Sequence, residues 1–366
     1  MKITIPVYQP TLDGNEKKYV LECLDTNWIS SKGRFVQEFE RRFAEYTGVR
    51  YASAVCNGTA ALHLVLLALG IGAGDEVIVP TLTYVASVNA ISYTGATPIF
   101  VDSVRETWQM DPNDVRQKLS NRTRAIMAVH LYGHPCDLDS LRAIADQHGL
   151  FLVEDCAEAF GTLYQGRHVG GTGQISAYSF YGNKAITTGE GGMVVTNDPT
   201  LHERAVRFRG QGLALGREYW HDVIGYNYRM TNICAAIGLA QLERADATLQ
   251  RKRELAARYR QGLAGLPLTF HDETAGARHS YWMCSILVED RMYRDPLREH
   301  LATSGIETRP VFFPVHTMPM YSQHFQRHPV AEDLGWRGVN LPSWPALEEK
   351  QVMQVIGKIK DYFAAR

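Results

Sequence analysis

From about residue 50 to residue 210 the chain alternates short apolar runs with stretches of helical spacing. "YASAV" (51–55), "DEVIVP" (75–80), "TPIFVD" (97–102), "RAIMAVHLYG" (124–133) and "LFLVED" (150–155) are apolar runs of strand length. Between them, "AALHLVLLALG", "VNAISYTG" and "LDSLRAIADQHG" carry helical spacing, and the last closes on glycine. "ISAYSF" and "MVVTN" predict two further strands, separated by the irregular loop "YGNKAITTGEGG" (181–192). Near-continuous apolar strands separated by helices predict a mainly parallel sheet covered on both faces. In such sheets ligands bind at the carboxyl ends of the strands. Those ends are therefore where chemistry is sought.

The pattern changes after residue 230. "TNICAAIGLAQLERADATLQRKRELAARYRQGLAGL" predicts helix with a break near residue 247. A smaller unit follows, in which "SYWMCSILV" (280–288) reads as a strand, "RDPLREHLATSG" as a helix and "IETRPVFFP" as a strand, before the terminal helix "EEKQVMQVIGKIKDYFAAR". Near the N-terminus, "DTNWISSKGRFVQEFERRFAEYTG" predicts an arm leading into a helix. The expected fold class is α/β. A large domain over residues 1–250 carries a mainly parallel central sheet between helices, and a smaller α/β domain covers 251–366.

Composition agrees with this picture and narrows the partners. A chain of 366 residues suits one large domain plus a smaller one. Apolar residues make up 45% and charged residues 21%, as in ordinary globular proteins. The net charge of −1 gives no global field for nucleic acid or an acidic membrane. No apolar run is long enough to span a bilayer, and "MKITIPVYQP" lacks the apolar core of a signal peptide. The six cysteines (Cys23, Cys56, Cys136, Cys156, Cys234 and Cys284) are scattered, with no C-x-x-C pair. Free thiols in a reducing cytoplasm are expected, not a metal cluster.

Three places bring candidate chemistry to strand ends. In "VCNGTAALHL" (55–64), Asn57-Gly58-Thr59 opens a helix after a strand. Free amides at a helix N-terminus bind anions, and glycine lets the backbone come close. The same turn also serves as a plain helix cap. In "FLVEDCAEAFG" (151–161), Glu154-Asp155 end a buried strand and Glu158 follows three residues later. Asp155 on the ligand-binding rim can hold a cationic ring nitrogen, or it can be a solvated acid at a strand end. In "SFYGNKAITTGEGG" (179–192), Lys184 sits in an irregular loop between strands. Such a loop suits a site, although most lysines are solvated surface charges.

Three decoys fall away. A phosphate-binding P-loop needs G-x-x-x-x-G-K-[ST] leading into a helix. Here Asn183 separates Gly182 from Lys184, Ala185 follows, and the next element is a strand. "GIGAGD" (70–75) contains G-x-G but follows a helix and precedes a strand, the reverse of a dinucleotide-binding turn. His130 and His134 have zinc-like spacing, but Gly133 and Pro135 deny them a shared helix face. They are read as loop or substrate-side residues.

A phosphate site, then a carboxylate, then a lysine, in that order, are the parts that pyridoxal 5′-phosphate requires. The carboxylate keeps the ring nitrogen protonated, so that the ring accepts electrons. The lysine forms the Schiff base and, once released, moves the proton. The chain resembles the fold-type I, pyridoxal-phosphate-dependent sugar aminotransferases over nearly its whole length. The motifs are "DGNEKKYVLECLDTNWISS", "NGTAALHL", "GDEVIVPTLTYVASVNAISYTGATPIFVD", "VHLYG", "VEDCAEAFG", "SFYGNKAITTGEGGMV", "RGQG" and "GYNYRMTNICAAIGLAQL".

The resemblance implies roles by position. Lys184 is the Schiff-base lysine and Asp155 the partner of the pyridine nitrogen. Glu158 lies near the ring hydroxyl, and Tyr84 stacks on the ring unless it is simply core. Gly58, Thr59 and Ser179 contact the phosphate. Asn227 reaches the phosphate from a neighbouring subunit, which implies a homodimer with shared active sites. Trp28, Ser31, Arg309 and His316 are candidate substrate contacts, with a structural role as the alternative. His134 stands where a relative has glutamine, which bears on substrate preference. Glu190 receives no role.

The implied reaction moves the amino group of L-glutamate to C4 of a nucleotide-linked 4-keto-6-deoxy sugar, with GDP-4-keto-6-deoxy-D-mannose first among acceptors. Pyridoxamine phosphate is the intermediate form of the cofactor, and the setting is O-antigen biosynthesis. A UDP- or dTDP-ketosugar, or a sugar 3-dehydratase, stays open as an alternative. Dehydratases of this scaffold replace the lysine by histidine, so Lys184 argues against that reading. A non-enzymatic homologue is disfavoured because all the catalytic groups are present. Lys184→Ala is expected to abolish both turnover and the absorbance of the lysine-bound cofactor. Assays and visible spectra of the purified variant check this, and retention of both would refute the assignment.

Overall fold

The structure is a computed structural model and describes residues 3–214 and 216–365. Its frame is a seven-stranded sheet in the order β1-β9-β8-β5-β4-β2-β3. The strands are β1 (Tyr51–Val55), β2 (Glu76–Pro80), β3 (Thr97–Val101), β4 (Thr123–Val129), β5 (Phe151–Asp155), β8 (Ile175–Ser179) and β9 (Gly192–Thr196). Only β9 runs antiparallel to its neighbours, β1 and β8. The remaining pairs are parallel, as the apolar runs predict.

Successive strand residues point to opposite faces, so one buried strand feeds two cores. Ile126 and Ala128 of β4, Leu152 of β5, and Met193 and Val195 of β9 face the first core. There they meet α2 (Arg34–Thr47), α6 (Leu138–His148) and α8 (Asn232–Leu242) through Phe39, Phe43, Ile144 and Leu239. Ala125, Met127 and Val129 of β4, Val153 of β5 and Val194 of β9 face the second core. That core is closed by α3 (Gly58–Leu69), α4 (Val85–Tyr93) and α7 (Pro199–Arg209). The Phe43 ring touches Phe39, Phe160, Tyr178 and Phe180, locking α2 onto the strand that ends at Ser179. Burying one such ring contributes about 1.5–3 kcal/mol.

A second, fully antiparallel sheet has the order β10-β12-β14-β13: β10 (Leu268–Phe270), β12 (Cys284–Val288), β14 (Gly338–Leu341) and β13 (Arg309–Pro310). Its core is filled by α9 (Ala245–Gly262), α10 (Arg294–Thr303) and α12 (Glu349–Ala364), together with Ile5 from the N-terminal segment. Three short strands, β6 (Leu163–Tyr164), β7 (Arg167–His168) and β11 (Ala277–Arg278), make a small third sheet. The remaining helices are α1 (Glu16–Asp25), α5 (Pro112–Gln117) and α11 (Pro329–Arg337). Among the described residues no helix is long and apolar enough to cross a membrane.

Three local expectations need correction. The helix break falls between α8 and α9 at residues 243–244, not 247. There the Glu243 carboxylate is drawn to Asn15 Nδ2 and Tyr19 Oη at the start of α1. The run at 280–288 becomes strand only from Cys284. Before it, Tyr281 adopts φ 50°, and the amides of Ser280 and Trp282 donate to Gly133 O and Tyr132 O. The run at 306–314 is strand only at Arg309–Pro310, with a single isolated bridge from Ile306 to Ile5 before it. Pro310 and Pro314 lack amides for a ladder, and the Phe312 amide donates to the Tyr132 hydroxyl instead.

Candidate active site

The carboxyl ends of β1, β2, β4, β5 and β8 open toward one cavity of about 640 Å³, whose wall is completed by Arg309, Pro310, Phe312 and Asn340 from β13, β14 and the chain that follows β13. At one end stands the N-terminus of α3. Asn57 caps the helix, its side-chain oxygen accepting the Ala60 amide at 2.8 Å. The Gly58 and Thr59 amides lie in the first turn, where no carbonyl four residues back can take them. A Cβ at Gly58 would lie 2.7 Å from Ser179 Cβ, so the turn closes on the end of β8 only because residue 58 is glycine. The helix start and the Ser179 hydroxyl therefore form one small polar niche, which fits a phosphate group.

Asp155 ends β5 and is buried. Its Oδ2 accepts from Ser87 Oγ at 2.7 Å and its Oδ1 from the Ala157 amide at 3.0 Å. Burial raises its pKa, partly offset by those two donors. A cationic ring nitrogen set against it would favour the carboxylate form.

Lys184 lies between these ends. Its amide donates to Tyr181 O, and its carbonyl accepts from the Tyr8 hydroxyl, so both sides of the residue are held. The side chain is 12% exposed and Nζ lies 3.8 Å from Glu158 Oε1. Nζ also lies 3.8 Å from the centroid of the Trp282 ring. Burial lowers the pKa of Lys184, against the pull of Glu158 and Asp155. Glu158 Oε2 accepts the Tyr132 amide at 2.8 Å, and burial pushes the carboxyl up to about 7. Tyr132 presents that amide with φ 56°, a backbone conformation that costs a non-glycine residue on the order of 1–3 kcal/mol. Its ring stacks between Trp282 and Phe312, forming an aromatic wall beside Lys184.

The chain matches the DegT/DnrJ/EryC1/StrS aminotransferase family over residues 10–360. It is 63% identical to the GDP-perosamine synthase of Escherichia coli O157:H7 over 360 residues, covering 98% of this chain and 99% of that one. Against the GDP-perosamine synthase of Vibrio cholerae the identity is 51%, with 98% and 99% covered. A putative sugar aminotransferase from Streptococcus pneumoniae, solved in its pyridoxal phosphate form, superposes with a TM-score of 0.94 at 28% identity, covering 100% of this chain and 99% of that one. The chain belongs to the DegT/DnrJ/EryC1/StrS aminotransferase family. The family's enzymes are pyridoxal-phosphate-dependent, and this chain is a transaminase of that kind with the fold-type I architecture.

In the aminotransferase, Gly58, Thr59, Tyr84, Asp155, Glu158, Ser179, Lys184 and Arg309 all line the one cavity. Tyr84 is half-exposed and packs against Phe312. Other candidates are not brought together with them. Asn227 is exposed and its Oδ1 accepts from Arg229, while Trp28 is exposed on the N-terminal arm and Ser31 lies three residues beyond it, none of the three lining the cavity of its own chain. His316 is buried behind the wall, its Nδ1 bonded to Thr81 Oγ1 at 2.7 Å. His130 turns to Glu154 and His134 to Thr274, so that pair diverges. Glu190 lines the cavity at its exposed rim.

Sequence reasoning missed Ser87, Tyr132, Trp282 and Phe312. Ser87 lies in the first turn of α4 and carries no signal of its own. Tyr132 and Trp282 sat inside apolar runs and passed as strand residues. Gly58→Ala is expected to weaken pyridoxal phosphate binding about ten- to a hundredfold, since the methyl group forces the niche open. Equilibrium titration of the purified variant measures this, and unchanged affinity with an intact fold would contradict the niche.

Proposed function

We propose that this aminotransferase takes the amino group of L-glutamate and places it on C4 of GDP-4-keto-6-deoxy-D-mannose, giving GDP-perosamine. The observation that carries the reading is the Lys184 amine, walled in beside Asp155 and Glu158, in a chain 63% identical to a GDP-perosamine synthase. Pyridoxal phosphate supplies the electron sink and the amino-group carrier. The first-turn amides of Gly58 and Thr59, with Ser179 Oγ, would hold its phosphate. Asp155 would keep the ring nitrogen protonated, and Tyr84 and Glu158 would bound the ring in the same cavity.

Lys184 Nζ would form the Schiff base with the cofactor and, once released, would serve as the base that carries the proton. Its lowered pKa, caused by burial, keeps a basic amine available for that task. The wall of Tyr132, Trp282 and Phe312 keeps water from the reacting atoms. Arg309, half-exposed at the cavity and only 3.6 Å from Glu307, is a cation for the anionic groups of the substrates.

Asn227, Trp28 and Ser31 stand outside their own cavity. Their roles require a second copy of the chain, so the working unit is a homodimer with shared sites. Among the described residues all six cysteines are free, which supports a reducing, cytoplasmic setting.

The purified enzyme, with glutamate and a panel of GDP-, UDP- and dTDP-4-ketosugars, tests the reading by mass spectrometry of the products. Conversion of the GDP sugar to its amino form at least about tenfold faster than the others is expected, a discrimination of about 1.4 kcal/mol. A preferred UDP or dTDP sugar, or a 3-deoxy product, would overturn it.

A further inference from the structure

Lys184 must change protonation state to do its work, yet it is withdrawn from water. The groups facing it decide where its proton goes. Asp155 is held by Ser87 Oγ and the Ala157 amide. His130 lies between the Cys136 amide at Nδ1 and Glu154 at Nε2, so neither nitrogen is free. Arg309 has no lone pair to offer, and Glu190 lies exposed at the rim. The Tyr84 and Tyr132 hydroxyls are weak proton acceptors.

Glu158 differs from all of these. Its side chain is 4% exposed, and one oxygen is fixed by the Tyr132 amide. The other oxygen is turned to Lys184 Nζ, 3.8 Å away. Trp282 covers Nζ at an equal distance, so carboxylate and ring face together form a seat for an ammonium.

We propose that Glu158 is the proton partner of Lys184: Oε1 takes a proton from the Nζ ammonium, which frees the amine, and later returns it. One N–H bond breaks and one O–H bond forms. Ammonium and carboxylate become amine and carboxylic acid, so the pair stays neutral and no net charge is created in the buried site. Burial brings the carboxyl up to about 7, where its proton affinity suits exchange near neutral pH. The inference rests on the reading that Lys184 is the reactive amine. It does not depend on which sugar is used.

The test is the rate at which full-length apoenzyme captures pyridoxal 5′-phosphate on its lysine, followed by visible absorbance across a pH series. Only the neutral amine reacts, so the midpoint of the profile reports Lys184. In Glu158→Gln the nearer anion is gone, and burial is opposed only by the weaker pull of Asp155. The midpoint should then move to lower pH, on the order of one pH unit. Glu158→Asp, whose carboxylate stands further back, should move it the same way by less, so either variant alone is decisive. Ionisation of the free cofactor is common to wild type and variants and cancels. With glutamate added, Glu158→Gln should pass its amino group on at least about tenfold more slowly, having no carboxylate to hold the proton.

An unchanged or raised midpoint in the variants would overturn the proposal, as would an undiminished rate with glutamate. If wild type itself forms no lysine adduct, the reading of Lys184 fails, and that outcome is distinct from these.

Discussion

The site depends on holding one ammonium group out of water without a full partner. Lys184 Nζ rests between the Glu158 carboxylate and the Trp282 ring, both at 3.8 Å. Neither contact is a close ion pair, so the charge is tolerated and not trapped. Burial works against the charged lysine and the charged glutamate alike. A close, fully hydrogen-bonded salt bridge here would fix the proton on the lysine and leave no base. An isolated buried lysine would lose its charge but have nowhere to send the proton.

The rest of the fold keeps that arrangement rigid. Glu158 and Asp155 leave β5 three residues apart, and β4 beside it delivers Tyr132. The strained φ of Tyr132 turns its amide onto Glu158, while its carbonyl takes the Trp282 amide and its hydroxyl the Phe312 amide. One residue thus ties the parallel sheet to the chain that feeds β12 and to the chain that leaves β13. Trp282 in turn donates from Nε1 to Asn183 O, next to the lysine it covers. On the other side, the Tyr8 hydroxyl from the N-terminal segment holds the Lys184 carbonyl. The flexible part of Lys184 is its side chain, and its backbone is anchored from two directions.

Much of this was legible in the order of residues. The buried strands declared themselves by apolar runs, and the carboxyl-end rule then pointed to Gly58, Asp155 and Lys184 without any structure. Residues whose function lies in an unusual backbone or a long-range contact were hidden. Tyr132 and Tyr281 adopt positive φ, which the local sequence does not signal. Trp282 reads as a strand residue because it sits in an apolar run, but its amide is spent on the Tyr132 carbonyl, 150 positions away in the chain. For His316 the sequence leaves a substrate contact and a structural role both open, and its partner Thr81, more than two hundred residues earlier, is invisible in the local sequence. Asn227, Trp28 and Ser31 stand outside the cavity of their own chain, Asn227 accepting from Arg229 and the Trp28 carbonyl from Asn232.

Among the described residues two lysines are withdrawn from water and have lowered pKa values: Lys184, at the cavity, and Lys252, whose Nζ donates to Ser343 O inside α9's contact with the chain after β14. Only the first lines the cavity with Asp155 and Glu158. Borohydride reduction of the holoenzyme, followed by peptide mass mapping, locates the lysine that carries the cofactor. The account predicts the pyridoxyl group on Lys184 alone. A reduced adduct on Lys252, or spread over surface lysines with Lys184 unmodified, would contradict it.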